Sequence, residues 1–99
     1  MTGPHPPGEG SARRRCVYHG RVQGVGFRAT TASIARRHPV TGYVRNRADG
    51  TVELVLDGPP QAVGEALGEI ELAMCGYIDR RDDADLEMSE RFERFEIRR

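Results

Sequence analysis

Apolar and polar positions change their spacing several times along this chain, and each change falls near a turn-forming residue. The stretch from Cys16 to Val22 contains Val17 and Tyr18 and predicts a first strand. A helix follows, because one face then repeats at three- to four-residue intervals until Pro39 stops it. The residues of that face are Phe27, Thr31, Ile34, Ala35 and His38.

The middle of the chain predicts a hairpin of two strands. Val40 to Arg47 is the second strand, and Asp49-Gly50 is a strong turn signal before a third strand from Thr51 to Leu56. In the third strand the apolar residues alternate with Thr51 and Glu53. This alternation predicts one buried face and one partly hydrated face.

A second helix is predicted after the Pro59-Pro60 turn, since proline suits the first helical position. Its apolar face consists of Val63, Ala66, Leu67, Ile70 and Met74. Gly64 and Gly68 either permit a close backbone approach or only weaken the helix. Gly76 has the position of a C-terminal cap.

Two strand-like segments complete the chain, a ragged one from Tyr77 to Met88 and a last one from Phe92 to Arg98. The order of elements is therefore strand, helix, strand, strand, helix, strand, with a possible split at the end. This βαββαβ order predicts an α+β ferredoxin-like sandwich. We expect two helices on one face of an antiparallel sheet.

Length and composition limit the chain to one small domain. The 99 residues suit a single core, which we place at residues 13–99. Residues 1–12 are rich in glycine and proline and predict a disordered tail. Charge balances at zero, with 15 basic residues, all arginine, against 15 acidic ones. This balance gives no support for nucleic-acid or membrane binding, and the lack of lysine excludes lysine chemistry.

Neither a metal nor a cofactor is expected. Cys16 and Cys75 lack the close spacing of metal sites and disulfide scaffolds, and the acidic residues between Asp79 and Glu87 have no ordered ligand spacing. No segment has the length and apolar character of a membrane span or a secretory signal. We expect a cytoplasmic monomer.

The most informative segment is Gly20-Arg21-Val22-Gln23-Gly24-Val25-Gly26-Phe27-Arg28. Its glycines permit the left-handed backbone of an anion-binding nest, in which consecutive N–H groups converge. A helix starting near Phe27 would aim its unpaired N–H groups at the same anion, and Arg28 would add positive charge. The segment predicts a phosphate cradle.

This loop, together with Thr41-Gly42-Tyr43-Val44-Arg45-Asn46 and Asp49-Gly50-Thr51-Val52-Glu53, resembles the acylphosphatase family. The resemblance extends from about Val17 to Gly58 and returns at Phe92 to Arg98. It implies hydrolysis of the carboxyl–phosphate anhydride of a small acyl phosphate.

The resemblance also implies the site residues. Arg28 corresponds to the family's phosphate-binding arginine and Asn46 to its water-orienting asparagine, both catalytic. Backbone groups of the loop would bind phosphate; the loop residues are Gln23, Gly24, Val25, Gly26 and Phe27. A side-chain role for Gln23 is left open, and His19 is interpreted as a packed or solvated strand-end residue.

Two departures from the family pattern bear on the site. Ala29 replaces a common aromatic residue and is expected to loosen packing under the cradle. The segment Met74 to Asp85 lacks the family's usual connector, which leaves the register of the fourth strand open.

Three other functions compete with an acylphosphatase enzyme. The first is a catalytically silent module that binds phosphate or acyl phosphate. The second is an RNA-binding domain, which would need exposed aromatic residues on the central strands. The third is a domain of the kind that starts larger carbamoyl-transfer maturation proteins.

Overall fold

A computed structural model describes residues 11–84 and 89–99, and its elements follow the predicted order. Two helices pack on a sheet of five strands, which confirms the predicted α+β ferredoxin-like class. The elements are β1 (Ala12–Gly20), α1 (Phe27–Ala35), β2 (Thr41–Asn46), β3 (Val52–Gly58), α2 (Pro60–Ala73), β4 (Ile78–Ala84) and β5 (Phe95–Arg98).

The sheet has the strand order β4-β1-β3-β2-β5 and is mixed. The first four strands pair antiparallel, but β5 lies parallel to β2. The prediction of a wholly antiparallel sheet was wrong at this edge. The sequence predicted a possible split of the last strand. The structure has two strands there, because β4 lies at one edge of the sheet and β5 at the opposite edge.

Three predicted boundaries need comment. Residues 1–10 of the predicted tail and residues 85–88 of the predicted fourth strand lie outside the described residues, while Ala12 already belongs to β1. The assignment of Gly76 as a helix cap was wrong. Met74 is the C-cap of α2, and Gly76 lacks the positive φ of a left-handed cap.

The core lies between the helices and one face of the sheet. Tyr18 of β1, Leu54 of β3 and Ile70 of α2 are almost fully buried there. The Tyr18 ring packs against Phe27 with 5.4 Å between centroids. Because Phe27 is the first residue of α1, this contact fixes the start of the helix relative to β1.

The opposite face of the sheet is covered by charged and aromatic side chains. Glu53 is 2% exposed and accepts hydrogen bonds of 2.5 Å from both Arg15 and Arg45. Phe92 packs on Tyr43, and the Arg98 guanidinium lies 4.3 Å from the Tyr43 ring centroid. The predicted partly hydrated face of the third strand was therefore wrong, because a central strand is covered by its neighbours on both sides.

The glycines of α2 make no close approach. A Cβ placed on Gly64 or Gly68 would meet no heavy atom within 4 Å, and both residues are exposed. Of the two interpretations offered by the sequence, only the weakening of the helix remains.

We expect Gly68→Ala to raise the free energy of unfolding by about 0.5–1 kcal/mol, because alanine favours the helix and meets no obstacle. Gly42→Ala is the matched control, since its Cβ would lie 1.9 Å from the Val55 carbonyl oxygen, and it should destabilise the protein. Urea denaturation measures both variants. A loss of stability in Gly68→Ala would contradict the assignment.

We expect Glu53→Gln to lower the free energy of unfolding at pH 7 by about 2 kcal/mol, because Arg15 and Arg45 lose their shared counterion. Burial raises the pKa of Glu53, but the hydrogen bonds from Arg45 and Arg15 more than offset it and leave the pKa lowered.

A carboxyl whose pKa is lower in the folded state stabilises the fold above its unfolded pKa of about 4.3 and loses this effect as the pH falls through the folded value. The difference between wild type and Glu53→Gln should therefore shrink between pH 7 and pH 3. Glu65→Gln, on the exposed surface of α2, is the control. An unchanged difference at pH 3 would contradict this role for Glu53.

Candidate active site

The loop between β1 and α1 forms a turn at the end of the sheet where β1 ends. Gly24 and Gly26 have φ angles of 78° and 77°, in the left-handed region that suits glycine. Gly26 is the N-cap of α1, so the unpaired N–H groups of the first helical turn begin at Phe27. At the start of the loop, the Arg21 N–H donates a 2.9 Å hydrogen bond to the Tyr77 main-chain carbonyl oxygen.

The main-chain donors of this loop are unpaired. Within residues 11–84 and 89–99, no carbonyl or side chain accepts from the five backbone N–H groups between Gln23 and Phe27. Alternating left- and right-handed residues make such groups converge, as in known anion-binding nests. The loop therefore has free donors for an oxyanion, together with the positive end of the α1 dipole.

Arg28 belongs to the first turn of α1 and lines the same hollow as Gly24 and Gly26. The hollow has a volume of about 300 Å³. The Arg28 Nη1 donates a 3.3 Å hydrogen bond to the Arg98 carbonyl oxygen, which tethers the guanidinium to the end of β5. No carboxylate among the described residues pairs with Arg28, so its charge is available to a ligand.

Asn46 is the last residue of β2 and lines this hollow too. Its position follows from the sheet: β1 and β2 flank β3, and both Tyr18 and Asn46 pair with Val52. The Asn46 Oδ1 is buried and has no hydrogen-bond partner in the described parts of the chain. Burying a carbonyl oxygen without a hydrogen bond costs free energy, so we expect a water or a ligand group to donate to this atom.

The side chain of Gln23 ties the loop to the β2–β3 hairpin. Its Nε2 donates to the carbonyl oxygens of Arg47 at 2.8 Å and Thr51 at 2.9 Å. These two residues bracket the turn that follows Asn46. Gln23 therefore couples the cradle to the strand end that carries Asn46, a side-chain role that the sequence left open.

The lining of the hollow includes residues that sequence reasoning missed. Ile97, Arg99 and Ala29 all line the hollow. The parallel pairing of β5 with β2 brings the end of β5 to the end of β2, where Asn46 lies. No local sequence pattern indicated the crossover that places β5 beside β2. Ala29 is exposed and lines the hollow, and the expected loosening of packing there stays a prediction.

His19 and Cys16 take no part in the hollow. His19 lies 2.8 Å from Asp82 on β4, and neither residue lines the hollow. Cys16 is buried, and burial and the neighbouring Asp83 raise the pKa of its thiol to about 12. A thiol with such a pKa supplies no thiolate nucleophile near neutral pH.

The open face of the sheet lacks the surface that an RNA-binding domain needs. Tyr43, the aromatic residue of β2, is 3% exposed and lies beneath Phe92 and Arg98. Base stacking requires accessible rings on these strands. This burial weighs against the RNA-binding interpretation.

Within residues 11–84 and 89–99, no cluster of three or more histidine, cysteine, aspartate or glutamate side chains could hold a metal ion. Nor does any helix there have the length and apolarity to span a membrane.

Comparison with known proteins agrees with the α+β fold of this domain. The model of the acylphosphatase family matches residues 14–97. An acylphosphatase of Picrophilus torridus is 43% identical over 68 residues, which are 68% of this chain and 84% of that protein. The crystal structure of the Bacillus subtilis acylphosphatase superposes with a TM-score of 0.76 and 28% identity, covering 88% of this chain and 98% of that one.

The chain belongs to the acylphosphatase family and is a hydrolase. The same unit also resembles part of a longer protein, HypF of T. kodakarensis, with a TM-score of 0.73 and 25% identity. That match covers 90% of this chain but 12% of the HypF chain.

We expect Gln23→Ala to lower the free energy of unfolding by about 1–2 kcal/mol and to weaken binding of inorganic phosphate, since two carbonyls lose a donor and the cradle loses its tie to the hairpin. Gln61→Ala is the control, because Gln61 is an exposed amide of α2 that contacts Glu65. Denaturation and calorimetric titration measure the two effects. Equal behaviour of the two variants would contradict the coupling role.

Proposed function

We propose that this protein hydrolyses small acyl phosphates to a carboxylate and inorganic phosphate, with Arg28 and Asn46 as its catalytic residues. The observation that carries the proposal is one hollow lined by unpaired loop donors, by an arginine without a carboxylate partner, and by a buried amide oxygen without a hydrogen-bond partner. Each of these groups has chemistry that matches one part of the substrate or the attacking water.

The phosphoryl group binds in the cradle. The Arg28 guanidinium is a planar fork that donates to two phosphoryl oxygens, and the N–H groups from Gln23 to Phe27 donate to the others. Charge spread over the phosphoryl oxygens in the transition state is stabilised by these fixed donors. The 3.3 Å bond from Arg28 to the Arg98 carbonyl supports this role, because it limits the guanidinium to a few orientations before substrate binds.

Asn46 holds the attacking water. Its Oδ1 accepts a hydrogen bond from the water, which leaves a water lone pair directed at phosphorus. The water attacks, the phosphorus–oxygen bond to the acyl group breaks, and the electron pair of that bond leaves with the carboxylate. The proton released by the water passes to a phosphoryl oxygen, so the products are a carboxylate and dihydrogen phosphate.

No protein base is needed in this scheme. The residues that line the hollow include no aspartate, glutamate, histidine or cysteine, and a carboxylate is already a good leaving group. Positioning and electrostatic stabilisation therefore supply the acceleration.

We expect Arg28→Ala to lower kcat/KM for benzoyl phosphate at least 100-fold, because loss of one preorganised oxyanion donor raises the barrier by roughly 3 kcal/mol. Asn46→Ala should lower kcat strongly while the inhibition constant for inorganic phosphate changes little. Arg94→Ala, an exposed arginine outside the hollow, is the control for Arg28. Steady-state assays give all three values.

Two results would contradict the proposal. Near wild-type rates in Arg28→Ala would remove that residue from the mechanism. Saturable phosphate binding by a wild-type protein that hydrolyses no acyl phosphate would instead identify a catalytically silent binding module.

A further inference from the structure

The arginines of this chain differ in whether a carboxylate lies close to their charge. Eight of them pair with carboxylates of the described residues; they are Arg13, Arg14, Arg15, Arg37, Arg45, Arg80, Arg81 and Arg98. Within residues 11–84 and 89–99, Arg21, Arg28 and Arg47 have no carboxylate at ion-pair distance. The charges of these three arginines are therefore not neutralised by a close partner.

Arg21 and Arg47 flank the catalytic hollow without lining it. Arg21 directly precedes Val22, and Arg47 directly follows Asn46, two residues of the lining. Both arginines lie at the end of the sheet where β1 and β2 end. Arg21 is exposed and Arg47 is half-buried. We call this pair the rim arginines.

Two carboxylates lie at the same end of the sheet. Asp49 is in the β2–β3 turn, where its Oδ1 accepts hydrogen bonds from the N–H and the hydroxyl of Thr51. Asp79 lies beside Gly20, since a Cβ placed on Gly20 would be 3.3 Å from the Asp79 Cγ. In the described parts of the chain neither carboxylate pairs with a rim arginine. With Arg28, these side chains bring three positive charges against two negative ones.

An excess of positive charge around a hollow attracts an anion before any contact forms. Such a field raises the local concentration of the anion and its rate of association. The range of this attraction depends on salt, because the screening length is about 30 Å in about 0.01 M salt and about 3 Å in about 1 M salt. The phosphoryl group of an acyl phosphate is an anion of the kind that this field attracts.

On the basis of the proposed function, we propose that the rim arginines steer the phosphoryl anion into the hollow without contacting the reacting atoms. The cradle donors and Arg28 then bind it. The phosphoryl charge is present in both the bound substrate and the transition state, so attraction by the rim lowers KM and leaves kcat unchanged. The affinity for inorganic phosphate rises for the same reason.

The test is the double variant Arg21→Gln/Arg47→Gln. We expect kcat/KM for benzoyl phosphate to fall about 3- to 10-fold in about 0.01 M salt, and this loss to shrink to less than about 2-fold in about 1 M salt. The value of kcat should not change. Both variants keep the local backbone contacts, because the bond to Tyr77 comes from the Arg21 main chain and the bond from Gln23 goes to the Arg47 main chain.

The matched control is Arg91→Gln/Arg94→Gln, which removes the same charge far from the hollow. Neither arginine pairs with a carboxylate in the described parts of the chain, and neither lines the hollow. The Arg94 carbonyl oxygen accepts from the N–H of Gly42 near the start of β2, at the other end of that strand from Asn46. This control should keep the wild-type kcat/KM at both salt concentrations.

A second control, Arg21→Lys/Arg47→Lys, keeps both charges but removes the planar fork of donors. Steering depends on charge alone, so this variant should also behave as wild type. A loss in the lysine variant, a loss in the glutamine variant that salt does not reduce, or an equal loss in Arg91→Gln/Arg94→Gln would overturn the inference.

Calorimetric titration with inorganic phosphate separates the steering from the proposed reaction. The dissociation constant of the glutamine variant should rise about 3- to 10-fold in about 0.01 M salt, as for kcat/KM. An unchanged dissociation constant would overturn the steering. A wild-type protein that shows this dependence on the rim but hydrolyses no benzoyl phosphate would refute the proposed function and leave the steering in place.

Discussion

The candidate site depends on one constraint, a backbone turn between β1 and α1 whose N–H groups find no internal partner. Most buried or enclosed main-chain donors in proteins are paired, so a row of free ones is tolerated only where a ligand or water satisfies them. Glycines at φ near 78° shape the turn, and the contact of Tyr18 with Phe27 fixes the helix that follows. The remaining groups of the site are arranged around this turn.

The sheet supplies the other groups because of the direction of its strands. β1, β2 and β5 run in the same direction, so the loop after β1, Asn46 at the end of β2 and the end of β5 lie at the same end of the sheet. Gln23 then joins the loop to the hairpin, and the Arg98 carbonyl holds Arg28. Side chains from three separate parts of the sequence are thereby positioned by main-chain geometry more than by one another.

Charge is distributed in a way that the zero net charge conceals. On the open face of the sheet, Glu53 binds Arg15 and Arg45, and along β4 Arg80 pairs with Asp82 and Arg81 with Asp83. Arg28, which lines the hollow, has no carboxylate partner among the described residues. A neutral protein can therefore present a locally positive site for a small anion.

The sequence predicted the fold and the cradle residues, but it did not predict which residues of β5 and its end line the hollow. Periodicity found both helices and the strands, since each buries one regular face, and the glycine spacing with Arg28 and Asn46 indicated the cradle. The parallel pairing of β5 depends on a crossover that no local pattern encodes, so Ile97 and Arg99 were missed. The burial of Glu53 was likewise invisible, because it depends on Arg15 and Arg45 from neighbouring strands.

The most direct test of the central claim is a titration of the ¹⁵N-labelled protein with inorganic phosphate, followed by ¹H–¹⁵N correlation spectra. If the loop donors and Arg28 form one anion site, the amide protons from Gln23 to Phe27 will move downfield together with a single dissociation constant. Phosphate-induced shifts confined to other surfaces, with these five amides unmoved, would contradict the account.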